Sequence, residues 1–471
     1  MKYYLLGIII TALLFAGCEN SSNSPDGEVY LGGKIVNPNA DFLLLLKDDV
    51  PVDTLRLNES GEFGEKLEGL DAGIYTFNHP PENQIMYLKP GDSVVLWLNT
   101  LQFDESINFS GRGAEESTFL LDMFLHNQRN NDLILSYYKI KPEKFAAKTD
   151  SIKKERIAEL DKLKKKHHFS DEFLDIANAS INYEYYDLRE RYSFLIRKYF
   201  HQFEKEIPKD FYSYRKEIDF NRENLQNFYV YLNLIDDYLR TRSIEYCEKN
   251  NISRRSCYDL NAFANVKRRM KMIDSLSHTP GIKNEFLDRL ASQSVIMSGT
   301  ETRIDSILNL LEKLDYSNLK DIQNLAQIHK NFLVGKSMKD KTLMNTDGEV
   351  VTYAQLLDKP LITFTWSIYS PAHHKWQHKI IQDLRKKYPE VKFIGINIDQ
   401  GEVKDWLTTV EKNNYNKNYE FQLAKRDMDE KTLRNYISKM LFLNKDGVIV
   451  KGDAQLNPVT FEKDVVEFLN R

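Results

Sequence analysis

The spacing of apolar residues changes twice along this chain of 471 residues, and that change constrains the fold more than any single motif. From residue 27 to about 111, apolar residues come in short runs or alternate with polar ones, with turn signals between them. Alternation puts successive side chains on opposite faces, as a half-buried strand requires. From 112 to about 330 they recur every three or four residues, which lines up one face of a helix. From 331 to 471 the two patterns alternate, as in a sheet covered by helices. A chain this long rarely closes around one core. The expectation is therefore multidomain: a small antiparallel β-sandwich over 27–111, an all-α domain over 112–330 and an α/β domain over 331–471.

Within the first segment the strand signals are Val29 to Ile35, FLLLL at 42–46, Asp53 to Leu57, Gly73 to Phe77 and Ser93 to Leu98. Asn37-Pro38, Ser60-Gly61, Asp71-Ala-Gly73 and Pro90-Gly91-Asp92 separate them. His79, beside Pro80-Pro81, reads as a loop residue. In the helical segment Phe173, Ala177, Ile181, Tyr185, Leu188, Tyr192, Leu195 and Tyr199 form one aromatic-rich stripe. Ser170 is placed to cap that helix, with Asp171 and Glu172 in its first turn. His167 and His168 follow three lysines and read as solvent-facing. In the last segment the spacing predicts a strand over 361–366 and a helix over about 372–387. Strands over 391–398, 440–443 and 448–450 and helices over 402–412 and 459–469 follow. Trp376, Ile380, Leu384 and Tyr388, four apart, are expected to make the buried face of the helix at 372–387.

The chain opens with Lys2, the apolar run YYLLGIIITALLF and then Ala16-Gly17-Cys18. That run has the proportions of a signal peptide and is short for a spanning helix. Small residues before a cysteine resemble a bacterial lipobox, which implies cleavage between Gly17 and Cys18, leaving Cys18 at the new N-terminus carrying lipid. Residues 19–26 are polar, as a tether should be. The expected setting is the cell envelope, with the membrane as a partner through the lipid and the protein facing the periplasm or the cell surface. A net charge of −4 argues against nucleic acid as a partner. The other cysteines, Cys247 and Cys257, lie ten residues apart around a polar loop. In such a compartment they are either bridged or two free thiols, and their spacing suits neither a C-x-x-C redox motif nor a metal site.

Residues 363–377, TFTWSIYSPAHHKWQ, run from a strand through a Pro-bearing turn into a helix. Together with GKSMKDKTLMNTDGEVVTYAQLLDKPLITFTW, KFIGINID and LFLNKDGVIV, this stretch resembles the TlpA-like thioredoxin family. YLKPGDSV and INFSGRGAEES match the β domain of Bacteroidetes lipoproteins that carry such a domain at their C-terminus. The resemblance implies a thioredoxin-like fold for 331–471 and thiol–disulfide oxidoreductase activity. It also implies two cysteines where this chain has Ser370 and His373, and a cis-proline where it has Ser438. A serine hydroxyl has no counterpart to thiolate exchange. Redox chemistry at this site is therefore expected to be lost, with no cofactor required.

Three replacements are weighed. Ser370 and His373 could form a nucleophile and base, but no acid partner or G-x-S-x-G elbow accompanies them. His374 and His378, four apart, could hold a metal from one helix face, but a third ligand is not evident. With His373 they could also form a pH- or metal-responsive sensor. Otherwise these are surface histidines at a polar helix start. The expected function is a lipid-anchored binding or scaffolding module with an envelope protein as partner. The alternative is an oxidoreductase using Cys247 and Cys257 or a partner's cysteines.

Overall fold

The computed structural model describes residues 27–80, 82–137, 139–253, 257–314, 316–424, 440–454, 456 and 461–470. Cys18, the tether and Ser438 lie outside the described residues. The chain divides into two compact units. One comprises residues up to 140 with 144–185 and 227–231, and the other 141–143, 186–226 and 232–471.

The first unit is built on eight strands. These are β1 (Val29–Val36), β2 (Phe42–Lys47), β3 (Val50–Arg56), β4 (Glu62–Leu67), β5 (Gly73–His79), β6 (Glu82–Leu88), β7 (Ser93–Asn99) and β8 (Asn108–Arg112). They form two four-stranded sheets, β4-β1-β7-β8 and β3-β2-β5-β6, enclosing an apolar core that includes Leu31, Leu45, Phe77 and Leu96. The sandwich is not purely antiparallel. β1 and β7 pair in parallel, from Tyr30 opposite Ser93 to Val36 opposite Asn99. A parallel pair needs a long crossover, and here the intervening chain supplies it by building the whole second sheet. His79 is not a loop residue either. It ends β5 fully buried, its Nε2 accepting from the Asn39 amide at 2.9 Å and its Nδ1–H donating to the Phe42 carbonyl at 2.8 Å. Both nitrogens are used by the neutral ring, so burial holds its pKa down.

Helices α1 (Ala114–Tyr137) and α2 (Pro142–Lys164) follow, then α3 (Asp171–Tyr199), whose halves belong to different units. The Ser170 hydroxyl accepts from the Phe173 amide at 3.3 Å, as a cap should. Phe173, Ala177, Ile181, Leu188 and Tyr192 of the stripe are buried, but Tyr199 is exposed. His168 is exposed and His167 half-buried, 3.6 Å from the Glu115 carboxylate.

The second unit continues with α4 (Tyr229–Lys249) from Leu232 onward, then α5 (Phe263–Leu276), α6 (Pro280–Ile296), α7 (Glu301–Glu312) and α8 (Leu319–Lys330). Pro280 opens α6 in its first turn, where a missing N–H is harmless. Among the described residues no helix is long and apolar enough to cross a membrane. The chain then forms β9 (Thr342–Asn345), β10 (Val350–Thr352), α9 (Tyr353–Leu356), β11 (Leu361–Trp366), α10 (Pro371–Lys387), β12 (Lys392–Asn397), α11 (Val403–Lys412), β13 (Glu420–Leu423), β14 (Met440–Leu443), β15 (Ile449–Ala454) and α12 (Phe461–Leu469). Their sheet runs β10-β9-β13-β12-β11-β14-β15, with β11, β12 and β13 parallel, β14 antiparallel to β11 and β15 antiparallel to β14. This is a thioredoxin-like arrangement, with β11 and α10 forming the strand and helix that flank the motif turn.

Candidate functional site

Buried β11 delivers the chain to the turn at 367–370. An aspartate just beyond the end of the neighbouring strand β12 fixes that turn. Asp399 accepts from the Ser367 hydroxyl, the Ile368 amide and the Asn397 side chain, each at 2.7 Å. Gln422 on β13 donates to Asn397 Oδ1 at 3.0 Å and to the Asp399 carbonyl at 2.8 Å. The turn is thus tied to three adjacent strands before α10 begins. Tyr369 donates its hydroxyl hydrogen to Glu402, and burial first, then this bond, hold the phenol's pKa up.

Ser370 is the residue before α10, Pro371 its first residue, and the Ser370 hydroxyl caps nothing. His373 is half-buried, its ring stacked on Trp376 with centroids 5.7 Å apart, and burial lowers its pKa. No hydrogen bond joins Ser370 to His373, so the nucleophile and base are neighbours in sequence but are not engaged as a pair.

The buried face of α10 differs from the sequence expectation. Trp376 is 40% exposed, whereas His374, Gln377, His378, Ile381 and Leu384 are buried. The histidines expected at the surface therefore lie inside. A step of four residues advances about 400° around a helix. Four residues spaced by fours consequently drift about 120° off one face. Leu384 is buried, with Ile380 and Tyr388 at the edge of the core.

Beneath the helix start these histidines enter a cluster with Trp366, Tyr415 and Glu420. The Tyr415 hydroxyl lies 2.6 Å from His374 Nδ1. Burial raises the phenol's pKa, so it stays protonated and donates. The His374 pKa falls to about 4 through burial first, then the charges of His378, Lys375 and His373. His378 stacks face to face on Tyr415, with centroids 3.5 Å apart and planes 2° from parallel. Its Nδ1 donates to the His374 carbonyl at 2.7 Å. Its Nε2 lies 3.3 Å from Glu420 Oε2, within ion-pair reach though off the line of a hydrogen bond.

Glu420, on β13, is completely buried. The Trp366 indole donates to its Oε2 at 3.0 Å, and Arg385 stands 4.0 Å from its Oε1. Gly395 makes room for it, since a Cβ there would come within 2.4 Å of Glu420 Oε2. His378, Glu420 and Trp366 thus form a buried polar cluster with the Tyr415 ring lying over the imidazole.

His374 and His378 do not converge on one point, since their rings are perpendicular and each Nδ1 already has a partner. No group of three or more His, Cys, Asp or Glu side chains among the described residues could hold a metal ion. Cys247 and Cys257 are free thiols, each 1% exposed. Arg268 lies 3.4 Å from the Cys247 sulfur, and burial, reinforced by Cys247, pushes the Cys257 thiol up to about 12. Such a thiol is a poor nucleophile at neutral pH.

Sequence reasoning missed Tyr415, Glu420 and the Asp399 anchor. The available signal was the run 374, 377, 378, 381, 384, which follows the 3.6-residue period once histidine and glutamine are allowed inside.

No protein-family model matches this chain, and no curated protein matches it. Solved thioredoxin-fold structures match part of it. The thioredoxin domain of a thiol-disulfide oxidoreductase from Bacteroides vulgatus is 19% identical, covering 29% of this chain and 98% of that one, with a TM-score of 0.23. A thiol:disulfide interchange protein from Bacteroides sp. is also 19% identical, covering 29% of this chain and 91% of that one, with a TM-score of 0.23.

Proposed function

We propose that this protein is a lipid-anchored envelope protein whose thioredoxin-like domain is a non-catalytic binding or scaffolding module, held at the membrane through Cys18. One observation carries the reading. At the start of α10, where disulfide exchange needs a stabilised thiolate, the chain presents Ser370 and a His373 that lies against Trp376. The fold's frame is kept, and the turn is anchored through Asp399. A reduction assay on the full chain, with a protein disulfide and a small-molecule disulfide as substrates, tests it. The expected result is no turnover above the uncatalysed rate. Turnover abolished by Cys247→Ser with Cys257→Ser would overturn the reading in favour of a thiol–disulfide oxidoreductase using those cysteines. The proximity of Arg268 to Cys247 favours that second reading, while the burial of both thiols opposes it. Anchoring is tested separately: Cys18→Ala is expected to move the protein out of the membrane fraction.

A further inference from the structure

A groove of about 800 Å³ opens among α4, α5 and α6, remote in sequence from the thioredoxin-like segment. Leu239, Ile273, Phe286 and Ile296 give it apolar walls, and Arg240, Arg269 and Arg289 bring three cations to it. Asp236 and Asp288 are its acids, leaving a surplus of one positive charge.

Both aspartates are already engaged. Asp236 pairs with Arg240, which also binds Asp237 at 3.0 Å. Asp288 accepts from the Tyr316 hydroxyl and, at 2.7 Å, from the Asn318 amide. Arg289 is exposed.

Arg269 differs from the other two arginines. It is 3% exposed, its Nη2 donates to the Leu260 carbonyl at 2.6 Å, and its Nε is buried with no partner. Among the described residues no carboxylate forms an ion pair with it, and Asp236, whose charge acts on it, is already paired with Arg240. Buried guanidinium groups are ordinarily paired, because withdrawing such a charge from water without a partner is strongly unfavourable. Burial lowers even this group to about 10, which leaves it charged at neutral pH. An unpaired, buried, charged donor facing a half-apolar groove is a recognition element without its counter-charge.

We propose that this groove binds an organic anion with an apolar body, its charged group taken by Arg269 and its body lying along Leu239, Ile273, Phe286 and Ile296. Arg240 flanks the anion, and its own buried Nε also lacks a partner. Arg289 draws the ligand in from the rim.

Calorimetry on the full chain tests this with three probes below their micelle concentrations: decanoate, decyl phosphate and decanol. Saturable binding of decanoate or decyl phosphate is expected, and the tighter of the two identifies the headgroup as carboxylate or phosphate. Decanol is expected to bind at least tenfold more weakly. Arg269→Gln should weaken the anion at least tenfold while leaving the unliganded melting temperature unchanged or higher, the reverse of what a purely structural arginine would show. Gln293→Trp, at an exposed position on the groove wall, keeps Arg269 and should block binding by bulk alone. Should Arg269→Gln fail to fold, Gln293→Trp decides. Absence of binding by both anions, equal binding of decanol, or undiminished binding in the folded variants would overturn the proposal.

Discussion

Two glutamates of the second unit are completely withdrawn from water, and they are served very differently. Glu190, on α3, is closed off. Its Oε1 accepts from the Tyr214 hydroxyl at 2.8 Å and Arg215 Nε at 2.7 Å, and its Oε2 from Arg215 Nη2 at 2.8 Å. Glu420, in the thioredoxin-like segment, has one clear donor in Trp366, an off-line imidazole and an Oε1 with no hydrogen bond. The first is a fork-to-fork ion pair of the kind that fixes helices in place. The second is less completely partnered, with Arg385 no nearer than 4.0 Å from its Oε1. Full burial alone therefore does not distinguish a fully served carboxylate from an under-served one; the partner count does.

The comparison breaks first at Glu190. Glu190→Ala leaves Arg215 buried with Glu245 as its remaining carboxylate, 2.9 Å away. A loss of about 3–5 kcal/mol is expected, because a stranded buried charge costs more than the pair contributed. Denaturant unfolding followed by tyrosine fluorescence reads it, and a loss below about 1 kcal/mol would show that Glu245 suffices.

The next largest effect is one of pH. The His374 pKa is lowered to about 4 in the folded chain, so between the ordinary value near 6.5 and pH 4 the unfolded state binds the additional proton. Stability is then fully present above about pH 6.5 and falls as pH drops toward 4, by roughly 2 kcal/mol at the acid end. His79, also held down by burial, adds a loss of the same sign. Melting curves from pH 7 to pH 4.5 should show the decline, and His374→Gln should flatten it. An unchanged slope in that variant would remove His374 from the account.

Glu420→Gln sharpens the contrast at smaller scale. Gln keeps an acceptor for the Trp366 indole but removes the charge facing His378. A loss of about 1 kcal/mol is expected, well under half that of Glu190→Ala. Trp366 is buried and bonded to the substituted group, so tryptophan fluorescence should report the change. A cost equal to that of Glu190→Ala would erase the distinction.

Legibility in the sequence follows the same divide. Strands such as Phe42–Lys47 and Leu361–Trp366, and the Ser170 cap, were readable because local pattern and tertiary role agree there. The parallel β1–β7 pair was not, because nothing local marks the direction of a partner 63 residues away, as Ser93 is from Tyr30. β13 was missed because it is four residues long and its first, Glu420, is charged and buried. The motif turn was readable as a frame through Trp366 and Pro371. The polar cluster beneath it required knowing that α10 turns histidines inward.

Trp376 provides the smallest and most discriminating measurement. Sequence spacing placed it in the core, while the structure leaves it 40% exposed and stacked on His373 at the helix start. A core tryptophan replaced by alanine loses about 3–5 kcal/mol, whereas Trp376→Ala should lose under about 1 kcal/mol. Ile381→Ala, on the face that is buried, should lose about 2–5 kcal/mol and serves as the control. The proposed binding role adds a second readout. If the start of α10 is the docking surface of a non-catalytic module, Trp376→Ala should weaken capture of the native envelope partner at least tenfold while the melting temperature barely moves. Partner capture unchanged in a folded Trp376→Ala protein would move the docking surface away from α10. A collapse in stability would instead restore the tryptophan to the core and reverse the assignment of the helix face.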